Sequence, residues 1–421
     1  MITKTQLSPG VELHCFRDDR FKQSRLSVQF IRPMCRQEAA LNALLPAVLL
    51  RGTEQYPDLQ AITVGLDELY GAAVGTLVRR VGDYQTTGLY SAFLDDRFSL
   101  DKEPVLAPML QMISQLLFHP VLENGLFRED FLESEKKNLI AAIEAQRNDK
   151  RLYAATRLTQ YMCAEDSFGV PRLGEVSQVR EITPQLLYDH YQKILRQSPV
   201  LVYYVGSAPA QEVADLLRPL FAHLQRQVCP LKPQTDFQDA AGGDYEEALD
   251  VAQGKLCMGF VTPITLRTPQ FAAMQVLNTL FGGGMTSKLF MQIREKQSLC
   301  YDIGSAYHGS KGIMTVSAGI DFQKVDTVKR QVLSQLEACR EGNFTQAELL
   351  AAKQALCSNL RATHDSTGAI ENYYATTDLS GLGMNPEQYM QAVEQVRAQQ
   401  VAEAAKTVKL HTTYFLKGVQ V

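Results

Sequence analysis

The stretch Phe281–Tyr301, FGGGMTSKLFMQIREKQSLCY, is where the reading starts. Gly282, Gly283 and Gly284 lack Cβ atoms, so another chain can lie close against their backbone. A helical run from Thr286 to Lys296 follows, with Leu289, Phe290 and Ile293 at helical spacing. Arg294 then offers a planar fork of donors, and Tyr301 closes the stretch with a hydroxyl. A bare-backbone loop, a cation and a phenol that reach one point suit the holding of a peptide carbonyl or an oxyanion. The plainer reading is a helix-entry loop, a surface arginine and a strand tyrosine, since a glycine cluster alone is a weak motif.

Working outward, the second half reads as a strand Lys255–Val261, a helix Pro269–Leu280, a strand pair Gly304–Tyr307 and Gly312–Ile320, then helices. These are Phe322–Cys339, Thr345–Thr363, Ser366–Leu379 and Pro386–Val408, and Leu410–Gly418 is a closing strand. The first half has the same order. Val11–Phe16 and Arg25–Ile31 alternate as strands, Gln37–Leu50 and Asp58–Leu69 read as helices, and Gly71–Arg79 pairs with Tyr84–Leu94 about a turn at Val81–Asp83. Pro46 falls inside the first helix and is expected to kink or restart it. Helices Pro104–Phe118, Phe127–Arg147, Lys150–Cys163 and Pro184–Leu195 follow, the last with Thr183 as its N-cap, then the strand Pro199–Val205 and the helix Ala210–Leu224. Arg226–Leu249, with Pro230, Pro233, Gly242 and Gly243, lacks periodicity and reads as a linker. One element order used twice argues an internal duplication, and mixed strand and helix runs argue α+β domains with a sheet covered by helices.

The glycine loop, the helix and the Arg294–Tyr301 pair resemble the C-terminal half of the M16 (insulinase, pitrilysin, mitochondrial processing peptidase) family. The likeness in element order spans essentially the whole chain. It implies two duplicated α/β-sandwich domains of the LuxS/MPP type, each a mostly antiparallel sheet covered by helices. They are expected at 1–225 and 250–421, with 226–249 as the linker. It also implies that Gly282, Gly283 and Gly284 contact peptide, and that Arg294 and Tyr301 reach a zinc site on another domain.

Active members of that family carry HxxEH on the first helix. Two histidines at i and i+4 bind zinc and the glutamate is base for the attacking water. An apolar pair and a basic-Gly-Thr tail follow, present here as Leu49, Leu50, Arg51, Gly52 and Thr53. Counting back puts Ala43 and Ala47 at the histidine positions and Pro46 at the glutamate. None has a donor atom, and proline is no base. The third ligand position, counted from Glu135 as the earlier acid, falls on Ala142, with Glu144 the nearest carboxylate. The seven histidines include no i, i+4 pair. His119-Pro120 reads as a helix cap, and His190, beside Asp189, reads as part of a solvated face. GGGMTSK is not a phosphate loop, because its lysine follows serine.

The 421 residues exceed one ordinary core and argue two domains or more. The 45% hydrophobic and 21% charged content is that of a globular protein, and a net charge of −4 without basic blocks points away from nucleic acid and membrane surfaces. The eight cysteines are scattered without a CxxC and read as reduced, mostly buried thiols, which favours a cytoplasmic location. MITKTQLSPGVELHCF does not read as a signal peptide, and no stretch is long and apolar enough to span a bilayer.

The resemblance therefore implies a zinc-less, half-length chain, most similar to the YmfF-like bacterial branch, some of whose non-peptidase members are tied to aminopentanol modification of elongation factor P. This chain is expected to bind no cofactor itself, with zinc in a partner of similar length, and to supply Arg294, Tyr301 and the glycine loop across an interface to a peptide substrate. A homodimer is the expectation when that partner is missing. The alternatives are a peptide-binding or scaffold protein of a larger assembly and, with no constellation to support it, an independent hydrolase.

Overall fold

The computed structural model describes residues 2–232, 234–238 and 241–419. By packing, the chain forms two compact units that are not contiguous in sequence. One is Met1–Ile143, Val170–Pro233 and His364–Leu379; the other is Glu144–Gly169, Gln234–Thr363 and Ser380–Val421.

Among the described residues, the first unit's sheet has six strands in the spatial order Ile2–Ser8, Val11–Arg17, Val200–Gly206, Gln23–Pro33, Tyr84–Leu94, Ala73–Val81. The second unit's sheet has five: Asp244–Leu249, Lys409–Gly418, Gly254–Val261, Ile313–Ile320, Cys300–His308. The two orders superimpose, apart from the additional strand Ile2–Ser8. So do the pairing senses: Val11–Arg17 runs parallel to Val200–Gly206 as Asp244–Leu249 does to Lys409–Gly418, and the neighbours that follow are antiparallel in both. Each unit is thus a mostly antiparallel sheet with helices, and the fold is a duplicated α+β architecture. Central strands are buried on both faces. On Gln23–Pro33, Leu26, Val28 and Phe30 enter the large apolar core with Leu44, Leu45 and Val48, while Ser27, Gln29 and Ile31 bury the opposite face. Gly88 faces this strand, and a Cβ on it would lie 2.0 Å from the Val28 carbonyl oxygen, so only glycine fits.

The helix expected over Gln37–Leu50 is Arg36–Leu49, and it continues through Pro46. Proline has no N–H for the Asn42 carbonyl four residues back. The Thr87 hydroxyl donates to that carbonyl instead, at 2.6 Å, which replaces the missing bond. Asp58 and Thr183 cap their helices by accepting from Ala61 and Leu186 N–H. Several elements differ from the expectation or add to it. Pro386–Val408 is two helices, Pro386–Gln395 and Ala398–Thr407, because Val396 is extended and Gln400 caps the Arg397 N–H, restarting the chain. The last residues of the linker, Asp244–Leu249, form the edge strand that pairs in parallel with Lys409–Gly418. Ile2–Ser8 and the short helix Val176–Glu181 are further elements. Early linker residues are tied down: the Arg226 guanidinium donates to the carbonyls of Leu195 and Ser198. Pro233 lies outside the described residues.

One helix from each half belongs to the other half's unit. Lys150–Met162 packs on the second sheet, with Ala154 and Leu158 against Cys257, Tyr414 and Leu416. Thr367–Ser380 packs on the first, with Ile370 and Ala375 against Phe16, Tyr203 and Val205. Among the described residues, no helix is long and apolar enough to cross a membrane.

Candidate functional site

The first place to test is the helix Arg36–Leu49. Ala43 is buried at 7% exposure and Pro46 is buried too, its ring lining a small apolar cavity with Phe30, Leu45, Leu49 and Leu117. Ala47 is half-buried. Ala142 and Glu144 are exposed on the helix Glu129–Gln146. Methyl groups and a pyrrolidine ring offer zinc no electron pair, and among the described residues no three His, Cys, Asp or Glu side chains converge as a metal set. The residues present do not fit a zinc ion. The end of the helix does keep one polar contact, as Arg51 pairs with Glu135 at 3.2 Å.

Beneath this helix lies a buried polar network. His190 Nε2 donates to Asn42 Oδ1 at 2.7 Å, Asn42 Nδ2 donates to Gln85 Oε1 at 2.8 Å, and Gln85 Nε2 donates to the carbonyls of Ala39 and Arg172. His190 is only 5% exposed, so the expectation of a solvated face is corrected. Asp189 takes Gln185 instead, and the imidazole turns inward. Burial pushes the His190 imidazole down to about 4, against a weaker pull upward from Glu38. Such an imidazole is neutral at pH 7 and satisfied on one nitrogen by an amide, which is a packing role. His119 does form the C-cap of the helix Leu106–Phe118.

The second place is the stretch around Arg294. The helical run is shorter than Thr286–Lys296 and of another type: Leu289–Glu295 is a π-helix, with Lys296 N–H donating five residues back to the Met291 carbonyl at 3.1 Å. Wide helical turns of this kind are rare and recur at functional sites. Leu289 and Ile293, both fully buried, anchor its inner side. Its outer side carries Arg294, whose guanidinium lies 4.6 Å over the Phe290 ring. Arg294 Nε donates to the main-chain carbonyl of Tyr301 at 2.8 Å, and Nη1 donates to Glu295 at 2.8 Å. The structure therefore brings Arg294 and Tyr301 together. Tyr301 is the second residue of the edge strand Cys300–His308, is 60% exposed, and its hydroxyl donates to Asp321 Oδ1 at 2.9 Å. Lys324 lies 2.8 Å from the other Asp321 oxygen. A shallow hollow opens between Arg294, Ser298, Tyr301, Asp321 and Lys324. The hydrogen bond to Asp321 and its charge raise the Tyr301 phenol above its ordinary pKa, while Lys324 and Tyr301 lower that of Asp321.

The three glycines divide. A Cβ on Gly282 would lie 2.7 Å from Ser305 Oγ, and one on Gly283 would lie 2.7 Å from Thr279 Cα, so the chain's own packing uses both. Gly284 meets nothing within 4 Å, and Met285 beside it is 76% exposed. Bare backbone open to another chain is thus centred on Gly284. Asp321, Lys324 and Glu295 were not singled out from sequence. Glu295 adjoins Arg294, but Asp321 follows a strand that separates it from Tyr301 in the chain. Six of the eight cysteines are buried, Cys35 is half-buried and Cys229 exposed.

A family model described as the peptidase M16 inactive domain matches residues 181–356. The chain is 29% identical over 411 residues to the probable inactive metalloprotease YmfF of Bacillus subtilis, covering 98% of this chain and 96% of that protein. Among solved structures, a conserved protein of Enterococcus faecalis V583 superposes with a TM-score of 0.90 at 27% identity, over 99% of both chains. A peptidase M16 inactive domain of Pseudomonas fluorescens superposes with a TM-score of 0.83 over 100% of this chain and 98% of that one; at 18% identity it speaks for the fold.

Proposed function

We propose, from the match to the peptidase M16 inactive domain and the likeness to YmfF, that the chain is an inactive member of the M16 family and the non-catalytic subunit of a zinc peptidase. It supplies Arg294, Tyr301 and the loop Gly282–Gly284 to a peptide bound at the zinc of a partner chain of similar length. One observation carries this reading. The first half keeps its helix but has apolar groups at Ala43, Pro46 and Ala47, while the second half holds Arg294 and Tyr301 together on an exposed surface by a π-helix. Proteins that retain only a fold have no evident need for the second arrangement.

The chemistry available to the two residues is that of orientation. The guanidinium is always charged and Tyr301 stays protonated at neutral pH, so neither acts as a base. Both position a chain whose bond is cut elsewhere. Cytoplasmic residence and self-association in the partner's absence go with this reading, and a link to aminopentanol modification of elongation factor P is one to look for. The experiment is reconstitution with the zinc-bearing chain, followed by Arg294→Ala.

A peptide-binding or scaffold role without peptidase activity is the second reading. It is favoured by the internal partners of the pair, Glu295 and Asp321, which give both side chains a structural use. Arg294→Ala with Tyr301→Phe separates the two. Lower stability with peptide binding intact supports the scaffold, and lost binding with stability intact supports the subunit.

A further inference from the structure

The Tyr301 hydroxyl has one proton, and that proton is committed. It is donated to Asp321 Oδ1 at 2.9 Å, and Lys324, 2.8 Å from the other oxygen, keeps Asp321 ionised. An ionised carboxylate only accepts, so in this contact the phenol is the donor, and what it turns outward is its lone pairs. Arg294 is the complement. Its Nε and Nη1 are engaged with the Tyr301 carbonyl and with Glu295, while Nη2 carries two N–H groups without a partner among the described residues. The hollow therefore presents a donor beside an acceptor rather than two donors.

Resting on the reading of this hollow as a peptide site, we propose that Asp321 is a positioning residue that fixes Tyr301 as an acceptor, so that Arg294 and Tyr301 read the C=O and the N–H of one residue in an extended peptide. In an extended chain both groups of a residue point to the same edge, which is how antiparallel strands exchange two hydrogen bonds at one residue pair. The ligand is a strand-like backbone with an intact amide at the contacted position. Proline, which has no N–H, is refused there. Lys324 supports the same orientation by holding the carboxylate. The raised pKa of Tyr301, with Asp321 as its cause, agrees with a phenol that donates to an anion.

The test uses the full chain and a fluorescein-labelled ten-residue Ser-Ala repeat, with an ester scan in which each backbone N–H in turn becomes oxygen. Fluorescence anisotropy is expected to show one ester position that weakens binding by about tenfold, the loss of a single hydrogen bond. In Tyr301→Phe that position becomes silent. In Asp321→Asn the side-chain amide donates to the phenol oxygen, the phenol proton turns outward, and the ester penalty disappears while the all-amide peptide weakens. If every ester binds like the amide while Arg294→Ala still abolishes binding, this inference is overturned and the peptide reading stands. Binding that is absent, or that ignores Arg294→Ala and Tyr301→Phe, overturns both. A second measurement needs no peptide. The Tyr301 Cζ resonance of 13C-tyrosine-labelled protein should titrate above the ordinary tyrosine range and return to it in Asp321→Asn; ordinary titration in the native chain overturns the proposal.

Discussion

Pro46 removes a donor that the Arg36–Leu49 helix needs, and Thr87 supplies another. The Thr87 hydroxyl is buried and donates to the Asn42 carbonyl at 2.6 Å. Thr87→Val keeps the shape and orphans that carbonyl, so it should destabilise the chain by about 1–3 kcal/mol in urea unfolding. An unchanged midpoint would mean the proline is accommodated some other way. His190 makes a second residue-scale prediction. Its folded pKa, about 4, lies below the ordinary 6.5 because the ring is buried, so the unfolded chain takes up the proton first as pH falls. The associated stability is complete above pH 6.5 and declines through the window down to about 4. In full it amounts to about 3 kcal/mol, at about 1.4 kcal/mol per pKa unit. Urea midpoints at pH 7.5 and pH 5 should drop less in His190→Gln than in the native chain. Equal drops would show that the ring is not the titrating group. Sequence misplaced His190 because Asp189 beside it suggested solvent, whereas helical phase turns adjacent residues to different faces.

The two exchanged helices use opposite charge. On Thr367–Ser380 the acids are on the helix. Glu371, fully buried, takes both Arg79 Nη1 and Nη2 at 2.9 and 2.8 Å and Gln29 at 2.7 Å, and Asp378 takes His14 at 2.8 Å and Lys4 at 3.1 Å. On Lys150–Met162 the acid is on the sheet: Glu247 accepts from Tyr153 at 2.6 Å, Tyr414 at 2.8 Å and Arg157 at 3.2 Å. Either helix on the other's sheet would set like charges together. Glu371→Ala leaves Arg79 without its buried partner and should cost about 3 kcal/mol or more. Replacing the pair together, Glu371→Leu with Arg79→Met, should recover part of that loss, since Arg25, Ser27 and Gln29 still lose the carboxylate, as a thermal melt would show. A double variant as weak as the single one would place the stabilisation elsewhere. This exchange explains what the sequence left hidden. The duplication was legible, because strand alternation and apolar helical spacing are local patterns repeated in each half. The sheet on which a helix lands is decided by charges far apart in the chain, Arg157 and Glu247 at a separation of 90 and Arg79 and Glu371 at 292, and no local pattern carries that. The strand Asp244–Leu249, DYEEAL, reads as linker in the sequence because its residues alternate between exposed and half-buried, as expected of an edge strand with little core to mark it.

For the molecule as a whole, the proposed subunit role joins the apolar groups at Ala43, Pro46 and Ala47 to the Arg294–Tyr301 pair on the other unit. Isolated chain should hold far less than one zinc per molecule after mild chelation, measured by elemental analysis, since one exposed carboxylate makes no tight site. Stoichiometric zinc would revive an independent hydrolase. In the complex with a zinc-bearing chain, Arg294→Ala should lower turnover by a factor on the order of 100 with zinc content unchanged, as loss of a transition-state donor does. At this scale the likeness to the M16 family was legible from the glycine loop, the Arg294–Tyr301 spacing and the RGT tail, while the π-helix under Arg294 was not, because its wide turn follows from packing of Leu289 and Ile293 rather than from their spacing. The most direct measurement is purification of this chain from its native host, with mass spectrometry of what accompanies it. The account predicts a chain of similar length carrying HxxEH, near one to one. Recovery alone, or with proteins that lack that motif, would contradict it.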